Sequence, residues 1–252
     1  MRSNSDPHLS YFLCADKANP ELRIKTMLSK AETEIGPAER AITWGLRLED
    51  TCLRVGIASP VCRAVCYVHG RTADRPNARS RLKLNYAIAQ RLDFVELLTG
   101  VIINSGVRTF KIHWSGDFFS ADYIDAWTTV VGLLPEVRFW CYTRAWFRAN
   151  WREALLRLND LRNMQVNLST DRSMLEIPAE LNRLPRTPLA DTDYDVPAGP
   201  NLIAFRAAST RKMDPLPIIG QAKVCPLQDG QPDDRGLCVD CGICLPPLRR
   251  SA

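Results

Sequence analysis

Near its C-terminus the chain carries a run of thiols spaced to wrap a metal centre, Cys238-x-x-Cys241-x-x-Cys244, with the Cys225 of Cys225-Pro226 separated from Cys238 by twelve residues. Cysteines at successive two-residue gaps wrap a cubane iron–sulfur cluster closely. A remote Cys-Pro completes such a ligand set, the proline keeping its loop rigid. Gly230, Gly236 and Gly242 supply the backbone freedom that a ligand loop needs. Zinc is the competing ion. Zinc sites usually keep two Cys-x-x-Cys pairs well apart, whereas here Cys241 would serve both gaps.

A second set lies far upstream: Cys52, nine residues, Cys62, three residues, Cys66. Pro60 stiffens its loop, Tyr67 could pack over a cluster, and His69 stands where a fourth ligand could reach. The alternative for His69 is a loop histidine bonded to backbone. Cys141, beside Trp140 on a predicted strand, reads as a core residue. Cys14 has no assignment.

The sharpest motif outside the cysteines is Phe110-Lys111-Ile112-His113-Trp114-Ser115-Gly116-Asp117. Gly116 would let backbone approach a ligand closely, and Asp117 could accept from an amine or cap the next helix. His113 reads as a core histidine. Arg144 could grip a carboxylate or phosphate, or pair with an acidic neighbour. Trp114, Trp127, Trp140, Trp146 and Trp151 fall at core positions rather than forming a base-stacking platform. The cluster Arg71, Arg75, Arg79, Arg81 and Lys83 reads as a solvated face, with a phosphate partner as the alternative.

Strands and helices must bring these residues together. A helical stretch is expected around residues 20–31, leading to Ile42-Thr43-Trp44-Gly45-Leu46. After the Cys52–His69 loop, Pro76 opens a helix. Leu84, Ile88, Leu92, Val95, Leu98 and Ile102 then mark one helical face, with Gly100 as a breaker near its end. Strands are predicted over 107–113, 137–143, 164–169 and 201–206. Helices are predicted from Ser120 to about Leu134 and from Trp146 to Leu161. Residues 178–200, rich in proline and acidic groups, read as a long loop. This alternation implies a parallel sheet with βαβ crossovers. The units are too few for eight strands and helices, so the fold class expected is α/β, a partial or irregular (β/α) TIM-like barrel with cysteine-rich cluster loops. Ser115-Gly116-Asp117, Thr143-Arg144 and Ser169-Thr170-Asp171 would all lie at strand C-terminal ends, where such folds do their chemistry.

The 252 residues suffice for one well-packed domain or two small ones. We divide them into an N-terminal extension, 1–41, a barrel-like domain, 42–247, and a basic tail, 248–252. With 46% hydrophobic and 24% charged residues, the chain is globular rather than disordered. It contains no apolar run of membrane-spanning length and no signal-peptide core, so a cytoplasmic location is expected. Its nine cysteines would stay reduced there, which favours metal binding or catalysis over disulfides. A net charge of +5 permits an acidic partner without demanding one.

The chain resembles the phage gene product 88 domain family. The resemblance runs from about residue 42 to 247. It rests on Trp44-x-Leu46, Cys62 and Cys66-Tyr67, His113-x-Ser115-Gly116-Asp117, Phe139-Trp140-x-x-Thr143-Arg144, Ser169 and the C-terminal cysteines. It implies a viral or prophage source, placing the protein in the host cytoplasm or the virion. More loosely, the order of cluster loop, helix, strand and Ser115-Gly116-Asp117 turn is similar to radical S-adenosylmethionine enzymes, whose corresponding turn holds the methionyl amine. The departure is that the third motif cysteine is absent and His69 occupies its slot, so Cys52 would have to serve as ligand.

Three functions follow. In the first, Cys52, Cys62 and Cys66 hold a [4Fe-4S] cluster with one open iron, and Ser115, Gly116, Asp117 and Arg144 bind a small cofactor or substrate beside it, S-adenosylmethionine being the candidate. The second is a non-catalytic cluster protein for electron transfer or for stapling the fold, with one or two clusters and a redox partner. The third is a zinc-stabilised nucleic-acid or virion-binding module.

Overall fold

The computed structural model describes residues 11–15, 22–26, 41–66, 68, 76–174, 176–190, 203–206, 225 and 241–246, with backbone alone for 11–15, 22–26, 77, 190 and 206. Cys238, His69, Tyr67, Arg71, Arg75 and the tail 248–252 lie outside these residues, as do 201 and 202 of the predicted strand at 201–206. In chain order the elements are β1 (Tyr11–Ala15), β2 (Leu22–Thr26), β3 (Ala41–Thr43), α1 (Pro60–Ala64), α2 (Pro76–Ile88), α3 (Phe94–Ser105), β4 (Thr109–Ile112), α4 (Ala121–Leu133), β5 (Arg138–Thr143), α5 (Arg152–Asn159), β6 (Met164–Thr170), β7 (Arg186–Ala190) and β8 (Phe205–Arg206).

The fold is α/β. One sheet runs in the order β2-β1-β3-β4-β5-β6-β7-β8. Only β1 and β2 pair antiparallel, and each later neighbour is parallel. From β3 to β7 the spatial order follows the chain. Right-handed crossovers that always step the same way put their helices on one face of a sheet. The side chains agree, since Ile42, Phe110, Ile112, Phe139, Cys141, Met164, Val166 and Leu168 enter the same apolar core as Leu98, Ile124, Trp127 and Leu155 from the helices. Phe94, Tyr123, Trp127, Phe110 and Phe139 form its aromatic centre, with ring centroids 5.6–6.3 Å apart. Alternate strand residues turn to the opposite face, and that face is partly polar: Lys111, Tyr142, Gln165 and Asn167 stand there beside Trp140. Chain from the C-terminal part covers part of it. Leu245 packs on Ala41 and Trp140, and Phe205 meets Tyr142 edge-on at 4.9 Å.

Several elements differ from expectation. Residues 22–26 form a strand, not a helix, in keeping with the alternation Leu22-Arg23-Ile24-Lys25-Thr26. The long helix after Pro76 is two helices. Arg91 and Asp93 pair at the break at 2.6 Å, and Leu92 points into solvent. Gly100 does not end the second of these. It runs to Ser105, where Gly106 takes the left-handed conformation (φ +66°) that closes a helix. The helix expected from Trp146 begins at Arg152, after two short 3-10 turns. Within the predicted loop 178–200 lies β7, paired with β6 through Leu168, Ser169 and Thr170. Its Pro188 argues against an interior strand from sequence alone.

Candidate functional site

The three upstream cysteines sit on turns between β3 and α2. Cys52 lies in a wide helical turn, Glu49–Leu53, and Cys62 on α1. Ser59 caps α1, its Oγ accepting from Cys62 N at 3.0 Å, and Pro60 takes the first helical position. Cys52, Cys62 and Cys66 are half-buried and stand close enough for the charges of Cys62 and Cys66 to oppose ionisation of Cys52, and for that of Cys66 to oppose ionisation of Cys62. Burial pushes the Cys52 and Cys62 thiols up first. Asp117 then raises Cys52 further, whereas the Arg144 guanidinium pulls Cys62 down.

The Ser115-Gly116-Asp117 turn lies against this loop. Ser115 Oγ donates to the Leu46 carbonyl at 2.9 Å, and Leu46 N donates back to the Ser115 carbonyl at 2.8 Å. Asp117 N donates to Thr51 Oγ1, the residue before Cys52. Gly116 has φ +75°, and a Cβ there would stand 2.8 Å from Leu46 Cβ and from its carbonyl oxygen. The close approach that this glycine allows is therefore to the cysteine-bearing chain itself. Asp117 does not cap α4; Ser120 does, accepting from Tyr123 N. Both Asp117 carboxylate oxygens are engaged elsewhere. Oδ1 accepts from Thr143 Oγ1 at 2.6 Å and from Phe118 N at 2.7 Å, and Oδ2 accepts from Arg144 N at 2.8 Å. Burial nevertheless pushes Asp117 up to about 6.

Of the two expectations for Arg144, the acidic neighbour is the one observed. Its Nη1 meets Asp171 Oδ2 at 2.5 Å in a buried ion pair, with the guanidinium also against Met174 Sδ and 3.5 Å from Ser59 Oγ. Asp171 Oδ2 in turn accepts from Ser59 Oγ at 2.5 Å, and its Oδ1 accepts from Ser173. The Arg144 charge and these donors hold the Asp171 carboxyl below its ordinary value, against its burial. Residues 59, 144 and 171 thus tie α1 to the ends of β5 and β6. Asp171 stood in the strand-end group Ser169-Thr170-Asp171, whereas Thr51 and Ser59 are members of this site that the sequence did not single out. The signal for Ser59 was present, a serine before a proline opening a helix.

Cys225, Cys241 and Cys244 are near one another elsewhere. Cys225 is buried, and its N donates to the Ala204 carbonyl at 2.9 Å. Cys244 packs beside Trp140 and Tyr142, where it feels the charges of Cys225, Cys241 and Lys111. Burial first, then Cys225 and Cys241, push the Cys244 thiol up to about 12, against Tyr142 and Lys111. The buried Cys141 belongs to the helix-side core. Among the described residues, no three His, Cys, Asp or Glu side chains already form a cage for a metal ion. Cysteine sulfurs gathered from separate turns are the donors that iron–sulfur clusters take, and these raised thiols must give up their protons for a metal to bind.

The basic cluster is solvated where it is described: Arg79 is exposed and pairs with Glu49 at 3.0 Å. His113 is a core residue, bonded through Nε2 to Tyr123 Oη at 3.1 Å. Among the described residues, no helix is long and apolar enough to cross a membrane.

A family model described as gene product 88 matches residues 18–246. The chain belongs to the gene product 88 family. Among this family's curated members, the Gene 88 proteins of Mycobacterium phages L5 and D29 are each 30% identical to it over 131 residues, 48% of this chain and 53% of theirs. The chain thus spans about half the length of those relatives. No solved structure matches it.

Proposed function

We propose that this gene product 88 family member is a phage-type iron–sulfur enzyme, its sheet curled into a partial barrel with cysteine-rich cluster loops. In this reading Cys52, Cys62 and Cys66 hold a [4Fe-4S] cluster with one open iron. The observation that supports it is the gathering of these thiols over the Asp117 turn and the Arg144–Asp171 pair, at the C-terminal ends of β4, β5 and β6. Such a cluster, when bound, offers an iron that an amine and carboxylate can chelate, as in S-adenosylmethionine. Ser115 and Gly116 brace the Cys52 turn, Asp117 and Arg144 supply charge beside the open position, and Asp171 orients the guanidinium.

A second reading, a closed cluster for electron transfer or for stapling the fold, draws on one observation: Ser115, Asp117 and Arg144 already spend polar atoms on their own chain. A zinc-stabilised module for nucleic acid or virion is the third, and metal identity separates it from both. The test is anaerobic purification with iron and sulfide analysis, then paramagnetic resonance of the reduced protein with and without S-adenosylmethionine. A spectrum that moves supports the enzyme. An iron–sulfur spectrum that no small chelating ligand moves leaves the second reading, and stoichiometric zinc without iron leaves the third.

A further inference from the structure

Cys52 packs against the helix-side core, whereas Cys244 packs with Ala41, Trp140, Tyr142 and Leu245, from the alternate residues of the strands. The surroundings differ throughout. Thr51, Asp117, Arg144 and Asp171 attend the upstream thiols, and Lys111, Trp140, Tyr142 and Ala204 the downstream ones. Gly242 takes φ +65° between Cys241 and Cys244, turning the chain so that both can face one centre. The sequence adds Cys238 three positions before Cys241.

This second place also holds groups that suit an anionic sulfur-rich occupant. The Tyr142 hydroxyl hydrogen-bonds the Cys244 sulfur. Lys111 Nζ lies 5.1 Å from the centre of the Tyr142 ring, and its charge reaches Cys244. Trp140 is fully buried, yet among the described residues its indole N–H has no hydrogen-bond partner. A buried donor without an acceptor is costly and calls for one, and cluster sulfurs accept from such donors.

We infer that the chain binds two separate iron–sulfur clusters, and that Cys225, Cys241 and Cys244 seat the second on the sheet face opposite the helices, with Lys111, Trp140 and Tyr142 as positioning residues that set its reduction potential. The inference rests on the iron–sulfur reading above but not on the open iron. Positive charge and hydrogen bonds to sulfur both favour the reduced, more negative cluster, so each raises its potential.

The test uses the full chain made without oxygen. About eight irons per chain are expected, four for each cubane. Cys62→Ala and Cys241→Ala should each lose half, and different halves by paramagnetic resonance. Lys111→Met and Trp140→Phe should keep all the iron while moving to more negative potential only the signal that Cys241→Ala abolishes. These two variants keep the test informative should a cysteine variant misfold. About four irons, lost entirely in either cysteine variant, would mean one cluster shared by both thiol sets, overturning this inference and, because a downstream thiol then fills the fourth position, the open iron, and leaving the closed-cluster reading. Zinc retained in Cys62→Ala but lost in Cys241→Ala, with iron lost in Cys62→Ala, would overturn this inference and spare the proposed function. About four irons lost only in Cys241→Ala would overturn both the two-cluster count and the proposed upstream site. Absence of iron from the wild type overturns both readings, and unmoved potentials in both Lys111→Met and Trp140→Phe overturn the seating.

Discussion

Two buried titrating residues near the ends of β4 and β5 work against each other. His113 holds a left-handed backbone (φ +65°), and its buried ring, among Phe118, Tyr123 and Trp127, is pushed down to about 3. A histidine depressed on folding gives stability above its unfolded value near 6.5 and loses it as pH falls towards 3. Asp117, raised from 3.8 to about 6, has the opposite sign: its contribution is complete below 3.8 and is lost as pH rises through 6. The two slopes, each about 1.4 kcal/mol per pH unit, cancel between roughly pH 4 and 6. His113→Asn keeps a side chain that tolerates the left-handed region and removes one slope. Urea unfolding of this variant should then show stability rising by about 3 kcal/mol from pH 6 to pH 4, where the wild type stays nearly flat. A flat profile in the variant would contradict the opposed pair. Cysteine spacing and residue type made Cys52, Cys62, Cys66, Asp117 and Arg144 visible in the sequence. The hydrogen bonds that occupy Asp117 and Arg144 were not visible. Arg144 and Asp171 are 27 residues apart and Ser59 and Asp171 are 112 apart, and only the sheet brings them together.

The turn after β4 shows what one glycine does for an element. Gly116 lets the chain pass against Leu46 and Thr51, and a methyl group there would meet both the clash and the positive φ. Gly116→Ala should cost about 1–3 kcal/mol in a thermal or urea melt. It should also speed alkylation of Cys52, because the turn carrying that thiol loses its brace. Unchanged Cys52 reactivity in a destabilised variant would separate the two effects. At this scale β4, β5, β6 and α4 were legible, since apolar alternation and the Ser120 cap mark them plainly. Less legible were β7, disguised by Pro188, and the break between α2 and α3, where an exposed Leu92 keeps helical spacing without being buried.

The whole sheet has helices on one face and chain from beyond residue 200 on part of the other. A chain ended at residue 202 should uncover Trp140 and Tyr142, giving red-shifted tryptophan emission and binding of a hydrophobic dye. Trp140→Phe in the shortened chain should remove most of the red shift, and emission that does not change on shortening would speak against this cover. A sheet whose neighbours follow chain order from β3 to β7 has a further consequence, one of timing on the ribosome. Each new strand meets the strand that emerged before it, so the sheet can grow outward without waiting for distant sequence. Ser115, Asp117, Thr143 and Asp171, the braces of the Cys52–Cys66 loop, are all translated before Cys225. The two thiol groups thus become available in succession during synthesis, the upstream one while the downstream one is still untranslated.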